Sequence, residues 1–227
     1  MNSLAPTHPA VAYDRRGFGD TPPAVAPFVN VDDLRAVLDA CVTGRAVLVG
    51  NSQGGRVAID FALAHPDRVE CLVLMAPAIS GAPDEVLGAE LQPLEDALDA
   101  ADEAGDLDAV NRLEARIWLD GPAGPEGRVG GAARELFLAM NRIPLEHEGA
   151  PRPIEPPSAH EHLERLATPV LVIVGTLDLP YQLKRARAIV ERVPDGRLVA
   201  LGGVAHLPQL ESPDVVASLI RDCVSPT

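Results

Sequence analysis

Gly50-Asn51-Ser52-Gln53-Gly54 places a serine between two glycines at the point where an apolar run, Val47 to Val49, gives way to a helical pattern. A nucleophilic hydroxyl must project from a tight strand-to-helix turn, and flanking glycines remove Cβ atoms that would collide there. A helix starting straight after the serine supplies free N–H groups and partial positive charge where an oxyanion would develop. The serine needs a base, and the base needs an acid to orient it. Asp178 closes Gly175-Thr176-Leu177-Asp178 after the apolar run Val170 to Val174, and His206 closes Gly202-Gly203-Val204-Ala205-His206 after the run Leu198 to Leu201. Both stand just past the end of an expected strand, where open α/β sheets gather their ligands. Rivals are weaker. Asp195 sits in a Pro-Asp-Gly turn, and His65 precedes Pro66 at a helix end. Ala76-Pro77-Ala78, after the run Val69 to Met75, offers no carboxylate. His160 and His162 read as surface residues of a polar linker, since a metal pair there lacks a third ligand.

These side chains meet only if the chain carries them to one edge of a sheet. The four runs just named are continuous rather than alternating, the pattern of parallel strands buried on both faces. Ala10 to Tyr13 reads as a further strand. Helical patterns lie between: Val31 to Cys41 with Asn30 as N-cap, Ser52 to Ala64 stopped by Pro66, Tyr181 to Val193, and Pro213 to Val224. Strand and helix in alternation predict the α/β class, a mostly parallel sheet flanked by helices. Residues 78–160 break the rhythm with three helical patterns, one on Leu87, Leu91, Leu94 and Leu98, one from Leu107 to Ile117, and one on Leu136, Phe137 and Met140. Pro151, Pro153, Pro156 and Pro157 close the stretch as a stiff connector. The expected organisation is a core of residues 1–77 and 161–227 with a helical insertion at 78–160. Trp118, Phe137 and Met140 are its candidate substrate-binding residues, with the insertion's own core as the equal alternative.

Composition narrows the function. The 227 residues carry 33 acidic and 19 basic side chains, a net charge of −14, and the insertion's 17 acids and 6 arginines account for −11 of it. So acidic a surface repels phosphate backbones, which argues against nucleic acid as a partner. No apolar run reaches the length of a membrane span, and the first ten residues lack the basic and apolar regions of a secretory signal. The expectation is a cytoplasmic protein acting on a small molecule, a homo-oligomer not excluded. Cys41, Cys71 and Cys223 are widely spaced and odd in number, so they read as reduced thiols. No nucleotide-binding glycine loop or metal-ligand cluster appears, so no cofactor and no metal are expected.

The chain resembles the α/β-hydrolase superfamily, serine hydrolases with a helical cap, over almost its whole length. The Gly-x-Ser-x-Gly elbow, the chain order Ser52, Asp178, His206, and His206-Leu207-Pro208-Gln209-Leu210-Glu211-Ser212-Pro213 carry the resemblance. Tyr13-Asp14-Arg15-Arg16-Gly17-Phe18-Gly19-Asp20-Thr21 matches a family loop, with threonine for its final serine, and reads as structural. The resemblance implies Ser52 as nucleophile, His206 as general base then acid, Asp178 as its orienter, and the Gln53 backbone N–H as an oxyanion donor. It implies hydrolysis of small neutral esters or lactones. Carbon–carbon bond hydrolysis of meta-cleavage type and haloperoxidase-like chemistry are the alternatives, with Leu207 in place of the usual tryptophan weakening the former. A non-catalytic binding protein is the alternative of another class. The family's first three strands and its His-Gly oxyanion loop have no counterpart here, because residues 10–14 correspond to strand four. The expectation is a one-strand gap beside residues 10–14 and a natural start further upstream, Met1 to His8 reading as the tail of a preceding helix. A true short form is the alternative, with weak catalysis.

Overall fold

The computed structural model describes residues 9–42, 44–85, 88–147 and 149–224. Met1 to His8, and Leu87 of the first insertion pattern, lie outside them. Helix α1 (Asn30–Cys41) leads into strand β1 (Ala46–Asn51), helix α2 (Gln53–Ala64) and strand β2 (Val69–Met75). Helices α3 (Gln92–Glu103), α4 (Leu107–Glu114) and α5 (Gly131–Glu146) follow, with a π-helical stretch, Ala115–Asp120, between the last two. The chain then returns through β3 (Val170–Gly175), α6 (Pro180–Arg192), β4 (Gly196–Leu201), the short α7 (Pro208–Glu211) and α8 (Pro213–Val224).

The strands form one parallel sheet in the order β1-β2-β3-β4. Because side chains alternate across a pleat, each apolar run feeds two cores. Leu72, Leu74, Val170, Val172 and Val174 meet α1, α2 and α6 on one face, while Cys71, Val73, Met75, Leu171 and Ile173 meet α8 on the other. That double burial is why the runs of β2 and β3 are continuous; β1 and β4, at the sheet edges, are only partly buried. Between β2 and β3 the described residues contain helices and turns but no strand.

Three expectations are corrected. Residues 10–13 are not a strand: among the described residues their backbone joins no ladder, and β1 is an edge strand with Val49 44% exposed. No one-strand gap therefore lies within the sheet. Asn30 is the first helical residue of α1 rather than its cap, since extended Val29 already accepts from the N–H groups of Asp32 and Asp33. Cys71 and Cys223 are joined in a disulfide, their Cα atoms 6.9 Å apart, because α8 packs back across β2 from 152 residues away. Cys41 is free and exposed.

Candidate active site

The end of β1 delivers Ser52 into a strained turn, with φ of +49° where side chains are rarely tolerated. The Ser52 N–H donates to Met75 and its carbonyl accepts from Ala78 and Arg56, so the turn is fixed from β2 and from α2. A Cβ at Gly50 would come within 2.4 Å of the Gly54 backbone, and one at Gly55 within 2.8 Å of Pro77. Gly54 itself faces open space. The close approach thus depends on Gly50 and Gly55, and the second glycine of the sequence pattern is not sterically required.

Asp178 and His206 come together from successive strand ends. His206 Nδ1 lies 2.9 Å from Asp178 Oδ2 and 3.1 Å from Oδ1, with both residues buried. The Leu179 N–H donates to Asp178 Oδ1 at 2.7 Å. The two loops interlock: Leu177 N–H donates to Val204, Gly203 N–H to the Thr176 hydroxyl, and a Cβ at Gly175 would strike the carbonyls of Val204 and Ala205 within about 2.2 Å. The elbow is tied to the same loop by Asn51, whose Nδ2 donates to the Met75 carbonyl at 3.1 Å and to the His206 carbonyl at 2.9 Å. Gln53, following Ser52, is exposed at the head of α2, and its side chain accepts from Arg15 at 2.9 Å.

The insertion closes over His206. The Trp118 ring lies 4.7 Å from the imidazole, centroid to centroid, and the Trp118 carbonyl accepts the His206 N–H at 3.2 Å. Gly121 (φ +78°) packs so tightly that a Cβ there would stand 2.2 Å from the Leu177 carbonyl and 2.8 Å from Ala205. Arg128 donates to Gly203, Leu119 and Asp120 carbonyls at 2.8–2.9 Å and pairs with Glu211, whose other oxygen accepts the Ala205 N–H. Burial pushes the Glu211 carboxyl above its usual value against the pull of Arg128 and Ala205. Fully buried Asp120 organises this loop. Burial would raise its carboxyl, but donation from Arg134, Gly127 and Val129 outweighs that and holds it below the ordinary range.

Of the three candidate substrate-binding residues, only Trp118 is brought to His206. Phe137 packs with Ala115 and Leu119 inside the insertion, and Met140 is 52% exposed on α5. Sequence reasoning assigned no positioning role to Asn51, Gly121 or Arg128. Their signals were present only as a polar residue inside the elbow and a glycine and arginine among turn residues. Among the described residues no three metal-ligating side chains converge, and no helix is long and apolar enough to cross a membrane.

Comparison with known proteins gives matches along nearly the whole chain. The family model described as the alpha/beta hydrolase family matches residues 1–219. The 2-hydroxymuconate semialdehyde hydrolase of Pseudomonas sp. (strain CF600) is 32% identical over 238 residues, spanning 98% of this chain and 78% of that protein. The pimeloyl-(acyl-carrier protein) methyl ester esterase of Neisseria meningitidis serogroup B / serotype 15 (strain H44/76) is 30% identical over 229 residues, spanning 99% and 85%. Among solved structures, the esterase RhEst1 from Rhodococcus sp. ECU1013 superposes with a TM-score of 0.73 at 26% identity, covering 99% of this chain and 84% of its own.

Proposed function

The chain belongs to the alpha/beta hydrolase family and is a hydrolase of that fold, and on that premise we propose that it cleaves small neutral carboxylic esters or lactones with Ser52, His206 and Asp178. The observation that carries this reading is the buried His206–Asp178 hydrogen bond, tied through Asn51 to the strained turn that bears Ser52. Ser52 Oγ attacks the carbonyl carbon while His206 Nε2 takes its proton. The Gln53 N–H at the head of α2 donates to the oxyanion. As the tetrahedral intermediate collapses, the bond to the leaving oxygen breaks and His206 returns the proton to it, leaving an acyl-serine. Water, deprotonated by His206, then attacks the acyl carbon, and Ser52 departs with the proton. The net change is ester plus water to acid plus alcohol, with His206 restored and Asp178 ionised throughout.

Trp118, its ring tilted against His206, forms a wall at the insertion side of the reacting centre. The insertion's charge of −11 disfavours anionic substrates at long range, which supports neutral ones. A second reading, hydrolysis of a carbon–carbon bond in a dienoate ring-cleavage product, is favoured by the similarity to the 2-hydroxymuconate semialdehyde hydrolase. Reaction with a fluorophosphonate tests the shared nucleophile. Labelling at Ser52, abolished in Ser52→Ala and reduced in His206→Ala, is expected; an unlabelled wild-type chain would favour a non-catalytic binding protein. A panel of short-chain p-nitrophenyl esters against a dienoate then separates the two chemistries, faster turnover of the dienoate overturning the ester assignment.

A further inference from the structure

The far end of α2 lines a cavity away from this chemistry, Leu63 lying about 16 Å along the helix from Ser52 at the ordinary rise. The cavity has a volume of about 430 Å³, within the range of small-molecule sites. Val29, Val31, Leu63, Ile154, Pro156 and Pro157 make its walls largely apolar. The proline connector forms one wall and is pinned where the Ile154 N–H donates to the Phe28 carbonyl at 2.7 Å.

The charges around this space are unevenly answered. Arg56 Nη1 donates to both oxygens of Glu155, at 3.1 and 3.2 Å. Asp60 is buried in the wall, with Ser80 donating to its Oδ2 at 2.6 Å and its Oδ1 out of contact with solvent, so it presents little charged surface. Arg165 differs from both. It is exposed, and among the described residues its guanidinium has no carboxylate partner, since neighbouring Glu164 pairs with Arg192 at 3.0 Å. His162 stands on the same side. The Arg165 N–H donates to the His162 carbonyl at 3.0 Å across a single 3₁₀ turn, a geometry in which side chains three apart eclipse. Both side chains line the cavity.

We propose that this cavity binds a small carboxylate with an apolar body, the carboxylate paired with Arg165 beside His162 and the body packed between the connector and the end of α2. A guanidinium presents its N–H donors in a fork that matches the two oxygens of a carboxylate, and an apolar wall next to it suits the rest of such a molecule. The chain's net charge of −14 acts from farther away and is screened beyond about 8 Å at physiological ionic strength, so the adjacent guanidinium dominates.

Calorimetric titration of the whole chain with phenylacetate at pH 7.5, in about 0.15 M salt, tests the site. Saturable one-to-one binding is expected, with the neutral isostere phenylacetamide roughly tenfold weaker or more. Arg165→Met keeps much of the stem but removes the cation. It should weaken phenylacetate by roughly tenfold or more and leave phenylacetamide unchanged. Ile154→Trp, at a position 55% exposed and thus compatible with folding, should fill the cavity and remove binding of both. Neither residue belongs to the candidate active site, so the two variants separate this cavity from the place where an ester's acid product would sit. Far-UV circular dichroism monitors their folding. Absence of saturable wild-type binding, equal affinity for the amide, or phenylacetate binding unaltered in either variant would each overturn the proposal; should Ile154→Trp fail to fold, Arg165→Met and the amide decide.

Discussion

On one flank of Ser52, the loop carrying His206 is bound by Trp118, Gly121 and Arg128 of the insertion, with His206, Gly121 and the Glu211 carboxylate buried and the Arg128–Gly203 bond at the surface. On the other flank, the loop of residues 14–21 meets α1 and α2 through Arg16–Asp33 and Arg15–Gln53 at the surface. The difference follows what each flank must do. Proton transfer tolerates little displacement, since a misplacement of about 1 Å costs on the order of 10²-fold in rate. Exposed ion pairs contribute only about 0–1 kcal/mol and fix little. The histidine flank is tied to its neighbours mainly through buried partners, and the arginine-rich loop through an exposed ion pair and an exposed hydrogen bond.

The sharpest test of that contrast is at its centre. Asp178→Asn keeps the shape but removes the charge that orients His206, and ester turnover should fall about 10³–10⁴-fold with the fold intact. A drop under tenfold would mean that the insertion alone positions the imidazole. Gly121→Val is next in size. A Cβ there would collide with the Leu177 carbonyl and Ala205, and the φ of +78° is strained for valine. Both effects lift the insertion from the acid and base loops. Turnover should fall on the order of 10²-fold, and stability by about 2–4 kcal/mol, read as kcat and as a denaturant midpoint.

Arg128→Met leaves the Glu211 carboxylate, whose side chain is 3% exposed, without its cation. Breaking a buried pair from one side typically costs about 3–5 kcal/mol, and the 19% exposure of the Arg128 side chain places this case near the lower figure. The pH dependence has a definite sign. Glu211 already has a raised carboxyl pKa, so the folded state takes up a proton more readily than the unfolded one. Stability linked to this group is therefore present below the ordinary carboxylate value and lost as pH rises through the raised one. Removing Arg128 raises it further, so the deficit of the variant relative to wild type should shrink on acidification from pH 7 to below about 4.5. A deficit independent of pH would assign the effect to packing of the Arg128 stem.

What the sequence made legible follows from how local each signal is. The elbow declares itself because strand, glycines, serine and helix are adjacent, and β2 and β3 because burial on both faces leaves long unbroken apolar runs, while the edge strands β1 and β4 carry shorter, half-buried ones. Trp118, Phe137 and Met140 were equivalent as bulky residues of the insertion; that Trp118 packs against His206 depends on which element of the insertion lies over the histidine loop, which local sequence does not reveal. The Asn51–His206 bond spans 155 residues and the disulfide 152, separations at which spacing carries no information. Residues 10–13 have the composition of a strand, but a strand also needs a partner.

The smallest expected effect lies on the loose flank and completes the comparison with Arg128. Arg16 donates from Nε and Nη2 to both oxygens of Asp33 at 2.7 and 2.8 Å, a geometry as good as any arginine clamp. Its side chain is nevertheless 45% exposed and that of Asp33 27%. Solvent screens the pair, and loss of one partner leaves the other hydrated rather than stranded. Arg16→Ala should therefore shift the denaturant midpoint only slightly, the shift shrinking further in 1 M salt where the screening length is about 3 Å, and leave turnover within twofold of wild type. The same residue type, with equally good hydrogen bonds, thus predicts a several-fold difference in stability cost on the two flanks, set by burial of the partner carboxylate. Equal costs for Arg16→Ala and Arg128→Met would show that bond geometry, not burial, governs how firmly each flank is held.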